Sequence, residues 1–416
     1  VNIRPYFKLA KNLPSPARAR ATGTGPWAVP DLCAAYQFPK GNAAGGGTIA
    51  IVELGGGWTK PDMEAFFASI GQPEPTITDV SVDGTKNKPG GDADGEVALD
   101  IQVAAAAYFY ATGQPAKIRV YWANDIAPGI LAAVKDGCDV CSISWGADEA
   151  EWGEVAAQAL EAAATQAVAS GMVVFAASGD NDSSDGGTSA ANVDLPAAAP
   201  HVIGCGGTNK TRSSETVWNN TPGQASGEGT GGGYSTLFAM PAWQATAHAP
   251  KGPGKLVPDL AACADPETGY QIYFGGQAEV VGGTSAVAPL YAGLFAALGR
   301  KLGFVAPALW ADPGAFTDIT QGDNGQYHAA IGPDPCTGLG APVGVRIAAA
   351  LASSAPAPSP SPTPTPGPTP APPPPAVTVD QAIAWAEARL PHVGFISAAT
   401  ARAAIAAGLK KSWPTT

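Results

Sequence analysis

Residues 117–146, KIRVYWANDIAPGILAAVKDGCDVCSISWG, decide the fold. The runs 117–123 and 139–145 are short, apolar and rich in β-branched and aromatic residues, as strands are, and residues 126–136 between them carry helical spacing. Two strands joined through a helix run parallel, because a crossover of that length returns the chain to the same end of the sheet. The rhythm continues outward. Strand candidates stand at 48–54 (TIAIVEL), 172–179 (MVVFAASG) and 201–207 (HVIGCGG), with helix candidates at 61–70, 96–110 and 152–170 and another beginning near Ser285. Regular alternation predicts the α/β class, a doubly wound, mainly parallel sheet with helices on both faces. Functional groups in such a sheet gather outside the carboxyl ends of the strands. Residues 208–280 break the rhythm with glycine-rich stretches and read as loops that line a site.

Composition narrows the function classes. The 416 residues are 45% hydrophobic and 14% charged, ample for a core and poor in surface ions against the about 25% of an average soluble domain. A net charge of −12 argues against nucleic acid or an anionic membrane surface as partner, and no run of 18 apolar residues offers a membrane span. With carboxylates protonated, only 23 Lys and Arg and 4 His remain charged, so self-repulsion in acid is limited. Cys33, Cys138, Cys141, Cys205, Cys263 and Cys336 are too dispersed for a disulfide scaffold, and Cys138-x-x-Cys141 lacks the second pair or nearby His of a zinc site.

Proline concentrates after Leu351, in ASSAPAPSPSPTPTPGPTPAPPPPA, a solvated linker that cannot pack a core. VTVDQAIAWAEARL follows, with Thr378 and Gln381 as a capping box ahead of apolar positions at helical spacing. The expected organisation is a flexible N-terminus (1–24), a main domain (25–352), a Pro-rich linker (353–376) and a short helical tail (377–416). A monomer is the default expectation.

Ser285 lies in VVGGTSAVAPLYAGLFAAL (280–298), after two glycines and at the head of an apolar helix. A serine there is a helix cap or a nucleophile, and a nucleophile needs a base within hydrogen-bond reach. None of His201, His248, His328 and His392 has the strand-end context of such a base. Glu96 and Asp100 do better. In GGDADGEVALDIQVAAAAYF (90–109) they stand four apart on one helix face, with no Lys or Arg before Lys117. Alanines around Asp100 mark that face as buried, and a buried acidic pair shares a proton. Asp180, in FAASGDNDSSDGG (175–187), follows a strand and a glycine, as a turn residue, a cation ligand or part of a site.

GEVALDIQV (95–103), ASGDNDSSDGG (177–187) and GGTSAVAPLYAGL (282–294) resemble the sedolisins, the serine-carboxyl peptidases, and within them the kumamolisin branch. SISWG (142–146), ANVDLPAAAPHVIGCGGT (191–208), GGGYSTLFAMPAWQ (231–244) and VPDLAACADPETGY (257–270) extend the resemblance over roughly residues 25–350. It implies a subtilisin-like fold with a glutamate in place of histidine. Ser285 would be the nucleophile and Glu96 its base. Asp100 would orient Glu96 and share its proton, and Asp180 would complete the oxyanion hole. Trp145, Gly146, Asp194 and Gly232 would shape the substrate cleft. A carboxyl donor that is protonated and a base that is ionised coexist only in acid, so a bell-shaped profile centred at about pH 3–5 is expected.

The resemblance further implies one structural Ca²⁺, matched in FTDITQGDNGQYHAAIGPDPCTGLGAP (316–342). Asp318 and Asp334 would give carboxylates, and Ile319, Ala330 and Gly332 backbone carbonyls, an all-oxygen shell. Ala330 replaces the usual glycine and Pro333 the usual tryptophan, with Asp323 and Asn324 as competing donors. VNIRPYFKLAKNLPSPARAR (1–20) resembles the end of a prosegment and reads as an exposed basic tether left by processing. Polypeptide substrates, the chain's own prosegment as a partner before activation, and secretion into acidic surroundings complete the expectation. The reading is an acid endopeptidase working through an acyl-enzyme. The alternatives are a tripeptidyl-peptidase of the same family and an inactive, calcium-stabilised binding module.

Overall fold

Eight strands form the central sheet of the computed structural model, which describes residues 1–11, 25–247 and 249–354. In chain order they are Thr48–Glu53 (β1), Thr76–Ser81 (β2), Lys117–Trp122 (β3), Val140–Ile143 (β4), Val173–Ala177 (β5), Ile203–Lys210 (β6), Glu215–Val217 (β7) and Leu260–Cys263 (β8). Their spatial order is β7-β6-β5-β4-β1-β3-β2, with β8 also paired to β6. All pairings are parallel except β6 with β7. Register is fixed at the centre, where Ile49 stands opposite both Ile118 and Val140.

The strand residues alternate between two cores, which is why their sequences are apolar throughout. Ile49, Ile51, Ile118, Val120 and Phe175 join one core with the helices Asp94–Thr112 (α2) and Val287–Leu298 (α5). Ala50, Val52, Tyr121, Ile143, Val174 and Ala176 join the other, with Ile126–Lys135 (α3) and Glu149–Ala169 (α4). A further helix, Lys60–Ser69 (α1), buries Met63, Phe66 and Phe67 in the first core. Asp94 and Glu96 in the first turn of α2 suit the helix dipole, and Gly113 in the left-handed conformation ends it.

α2 and α5 pack closely because both carry small residues at their contact. A Cβ at Gly293 would strike the Ala104 carbonyl oxygen and lie 2.8 Å from the Ala107 Cβ. The sheet and this helix pair fix where the heads of α2 and α5 meet.

Two departures from expectation matter. The stretch 208–280 contains β8 and the start of a hairpin, Tyr270–Phe274 (β9) and Gln277–Gly282 (β10), closed by Gly275-Gly276 with φ of +60° and +80°. And the first eleven residues are not an exposed tether. Arg4–Pro5 pairs antiparallel with Trp145–Gly146, and Lys8–Leu9 with Val281–Gly282. An extended segment there satisfies backbone groups of two strand edges that would otherwise lie open. The helix Gly344–Ser354 runs two residues past the expected boundary at 352. The remainder of the Pro-rich linker, the helical tail with His392, His248, and residues 12–24 lie outside the described residues. No helix among those described is long and apolar enough to cross a membrane.

Candidate active site

Strand ends and helix heads deliver the site. β10 ends at Gly282, Gly283 turns the chain at φ +105°, and a 3₁₀ turn, Thr284–Ala286, leads into α5, so that Ser285 stands on a strand-to-helix corner. Its Oγ donates to Glu96 Oε2 at 2.9 Å, across from the head of α2. Asp100, one helical turn on, accepts from Ser144 Oγ at 2.8 Å. Ser144 Oγ also reaches the Ser285 carbonyl at 3.2 Å, and the Ser144 carbonyl lies 3.3 Å from Ser285 Oγ.

Behind this pair stands a carboxylate that sequence reasoning missed. Glu53 closes β1 and accepts from Trp145 Nε1 at 2.8 Å, which turns the Trp145 indole toward the carboxyl cluster. Burial, then the charge of Asp100, holds Glu53 well above the usual carboxylate range. Burial raises Asp100 too, against the pull of its bond from Ser144. Glu96 is raised by burial first and then by the charges of Asp100 and Glu53, while its bond from Ser285 works the other way. One oxygen on each of Glu53, Glu96 and Asp100 has no partner, as expected of groups awaiting shared protons.

Asp180, three residues past the end of β5, meets Thr284, the neighbour of Ser285. Its Oδ1 accepts from Thr284 N at 2.7 Å and from Thr284 Oγ1 at 2.8 Å, and its Oδ2 is buried without a partner. Burial pushes it up to about 6, opposed by Lys8 and by the two Thr284 bonds. A carboxyl raised this far is protonated in mild acid, with the proton directed to Oδ2, the oxygen that accepts nothing.

Residues 1–11 lie across this cluster. Tyr6 N donates to the Ser144 carbonyl at 3.1 Å, the same oxygen that Ser285 Oγ approaches. A Cβ at Gly283 would collide with the Tyr6 carbonyl oxygen and come within 2.6 Å of Asp180 Oδ2, so glycine is required there. Gly146 is required for a related reason, since a Cβ would strike the Asp194 carboxylate, which passes beneath it toward the Tyr6 hydroxyl. At Gly232 a Cβ would strike the Pro335 carbonyl and come 3.0 Å from that of Val257, so packing requires glycine there.

Comparison with known proteins gives the family. The subtilase family model matches residues 87–308. Kumamolisin of Bacillus sp. (strain MN-32) is 42% identical over 379 residues, covering 83% of this chain and 67% of that protein. Sedolisin of Pseudomonas sp. (strain 101) is 29% identical over 361 residues, covering 78% of this chain and 60% of that protein. In three dimensions the chain resembles Pseudomonas sedolisin, a serine-carboxyl proteinase solved with two molecules of pseudo-iodotyrostatin, with a TM-score of 0.69 and 25% identity over 80% of this chain and 99% of that one. The chain belongs to the sedolisin family, in its kumamolisin-like branch.

As a sedolisin it is a peptide hydrolase of the serine-carboxyl class, and its other polar residues fall into place around that. His201 pairs with Glu161 on α4, and His328 bridges to Asp323 in a loop. The six cysteines of this sedolisin are all buried free thiols, with Cys138 Sγ 3.2 Å from the Tyr121 hydroxyl. In the loop matched to the calcium site, Asp318 Oδ2 accepts from Gly332 N at 2.8 Å and Asp334 Oδ2 from Ala330 N at 3.0 Å, so both carboxylates converge on one turn. Asp323 and Asn324 are engaged elsewhere, with Asn219 and Gly325 and with the Gly232 and Pro335 carbonyls.

Proposed function

We propose that the chain is an acid-active endopeptidase in which Ser285 is the nucleophile and Glu96 the general base. The observation that carries this is the 2.9 Å bond from Ser285 Oγ to a buried glutamate, while the two described histidines, His201 and His328, are engaged elsewhere. Ser285 Oγ attacks the scissile carbonyl carbon as its proton passes to Glu96. Charge gathers on the carbonyl oxygen, where protonated Asp180, through Oδ2, and the Ser285 N–H donate to it. Glu96 returns the proton to the departing amine, and water repeats the sequence on the acyl-enzyme. Asp100 and Glu53, with Trp145, spread the transferred proton over a chain of carboxyls and hold Glu96 in place.

Endo action is favoured over removal of tripeptides by the segment in the cleft. It continues upstream of Arg4 to Asn2, whose N–H meets Glu151 at 3.2 Å, so the cleft is open beyond three residues before Tyr6.

Asp318 and Asp334, with the carbonyls of Ile319, Ala330 and Gly332, would hold one Ca²⁺. Two carboxylates on a turn otherwise made of backbone fit a hard cation, which would tie the loop down and take no part in the reaction.

Hydrolysis of an internally quenched peptide across pH 2 to 8 tests the central reading. Activity confined to acid, and lost in Ser285→Ala and Glu96→Gln, is the expected outcome. A neutral optimum that survives Glu96→Gln would sink it.

A further inference from the structure

The hairpin that leads into Ser285 is held from outside by side chains. β9 pairs along one edge with β10, Tyr273 standing opposite Ala278, and β10 runs on through Gly282 to the corner that carries Ser285. The other edge of β9 is the edge of its sheet. Trp27 covers the start of it, where Gln271 N donates to the Trp27 carbonyl at 2.9 Å. At the turn, Asp62 on α1 accepts from Gly275 N at 3.2 Å and from Gly276 N at 3.0 Å. Between the two stands Tyr273, and one side chain of α2 takes both of its outward backbone groups. Tyr273 N donates to Gln102 Oε1 at 2.9 Å, and Gln102 Nε2 donates to the Tyr273 carbonyl at 2.6 Å. That is the two-bond exchange of a neighbouring strand, made by an amide.

Gln102 is fully buried and shares its helix with Glu96, six residues before it. At about 3.6 residues per turn it projects roughly 120° round the axis from Glu96, so α2 turns Glu96 to Ser285 and Gln102 to the hairpin. Around it the helix is fastened by contacts with little direction. Val97, Leu99, Ile101, Val103 and the alanines that follow pack into the first core, and Tyr108 then accepts from Gly46 N at 2.9 Å. Apolar burial is strong but lets a helix slide or roll by a fraction of an ångström. An amide paired with a peptide group does not, because both bonds must keep their length and angle. The bridge closes a circuit, along α2 from Glu96 to Gln102, across to Tyr273, through the hairpin to Ser285, and back by the 2.9 Å bond from Ser285 Oγ to Glu96.

We propose that Gln102 is a positioning residue of the peptidase: its amide, standing in for a strand beside β9, locks the helix that carries Glu96 to the hairpin that delivers Ser285, and so sets the distance between nucleophile and base. The inference rests on the peptidase reading above and adds a residue to it. Gln102 touches neither Ser285 nor Glu96 and acts on both through the backbone.

The test compares Gln102→Leu and Gln102→Glu with the unaltered chain, each as the whole protein, on one quenched peptide from pH 2 to 8, with rates expressed per folded molecule. Leucine fills the space and offers Tyr273 nothing. Its kcat should fall about 10²-fold, the effect of moving a reacting group by about 1 Å, while KM stays within about threefold, since the lost alignment acts in the transition state. The bond from Ser285 holds Glu96 down against burial. Loosening it should move the acid limb of kcat/KM upward, which a loss of packing alone would not do. A glutamic acid at this position, kept protonated at pH 4 by burial beside the Tyr273 carbonyl, has one acceptor and one O–H donor and restores both bonds. Gln102→Glu at pH 4 should therefore bring kcat back to within about threefold of the unaltered chain. Gln102→Met, unbranched and apolar, reads out in the same way should the leucine variant not fold. A leucine or methionine variant with lowered Tm but unchanged kcat and acid limb would overturn the inference, as would a glutamate variant equally slow at pH 4, and either result would leave the peptidase reading standing. An unaltered chain that cleaves no peptide at any pH would remove that reading, and this inference with it.

Discussion

Two clusters of buried charged groups sit in this molecule, and they are built in opposite ways. Lys255 is fully buried, yet its Nζ donates to the carbonyls of Ala197, Ala199 and Val202 at 2.7–2.9 Å and lies 3.1 Å from Asp259 Oδ2. Asp259 in turn accepts from Gly204 N, Gln244 Nε2 and Trp310 Nε1, so every charged atom has an answer. Around Ser285 the reverse holds. Glu53, Glu96, Asp100 and Asp180 are as deeply buried, and each retains an oxygen with nothing bound. A completed cluster ties the elements around it together and leaves no charged atom unpartnered. An incomplete one destabilises the fold and is ready for proton transfer, which is the physical signature of a site.

The contrast is broken most sharply by one substitution in each cluster. Glu96→Gln should lower kcat by about 10⁴, the upper range for removal of a general base, while the fold stays intact, because a neutral amide suits the buried site. Lys255→Met should do the opposite. It strands Asp259 as a buried, unpaired carboxylate and should lower stability by about 3–5 kcal/mol, with kcat per folded molecule unchanged. Denaturant melts and active-site titration on both variants check the pair. Equal loss of stability in the two would show that they are not different kinds of cluster.

The next effect is on stability with pH. Asp180, fully buried, titrates near 6 in the fold against 3.8 for a free aspartate. Its folded value is raised, so its contribution is complete below about pH 4 and lost as pH rises through 6, about 3 kcal/mol for that one group. Glu53, Glu96, Asp100, Asp185 and Asp194 are raised in the same direction, again chiefly by burial. Calorimetry should therefore show Tm falling from pH 4 to pH 7. A flat or rising Tm would mean that these carboxyls are compensated in ways the geometry does not reveal.

The comparison also shows what a sequence makes legible. β1, β3, β4, β5 and β6 are buried on both faces, so their apolar runs stand out locally. β2 does not, because TITDVS lies at the sheet edge with most of its residues exposed. The β9–β10 hairpin carried the signal of Gly275-Gly276 between alternating residues, but the surrounding glycines made the whole stretch resemble loop. In the site, Glu96, Asp100, Asp180 and Ser285 were legible because they stand in three distinctive motifs, Glu96 and Asp100 sharing one. Glu53 left only a faint trace, a single carboxylate ending an apolar strand. Gly95 and Asp185 left none, since they meet Phe7 and Tyr6, brought in from a different part of the chain.

The smallest effect tests how Asp180 does its work. If its protonated Oδ2 is the donor to the developing oxyanion, the basic limb of the rate profile reports its ionisation near pH 6. Asp180→Asn keeps a carbonyl oxygen for Thr284 N and Thr284 Oγ1 and places an N–H where Oδ2 was. The amide donates at every pH. Activity at pH 4 should then change by less than about tenfold, since one neutral donor replaces another, while the basic limb moves upward until Glu96 chemistry or stability limits it. Asp180→Ala, which removes the donor, should lose about 10²–10³ in kcat at pH 4. A basic limb that stays near 6 in the Asn variant would assign it to another carboxyl, and the chain Glu96–Asp100–Glu53 would be the place to look.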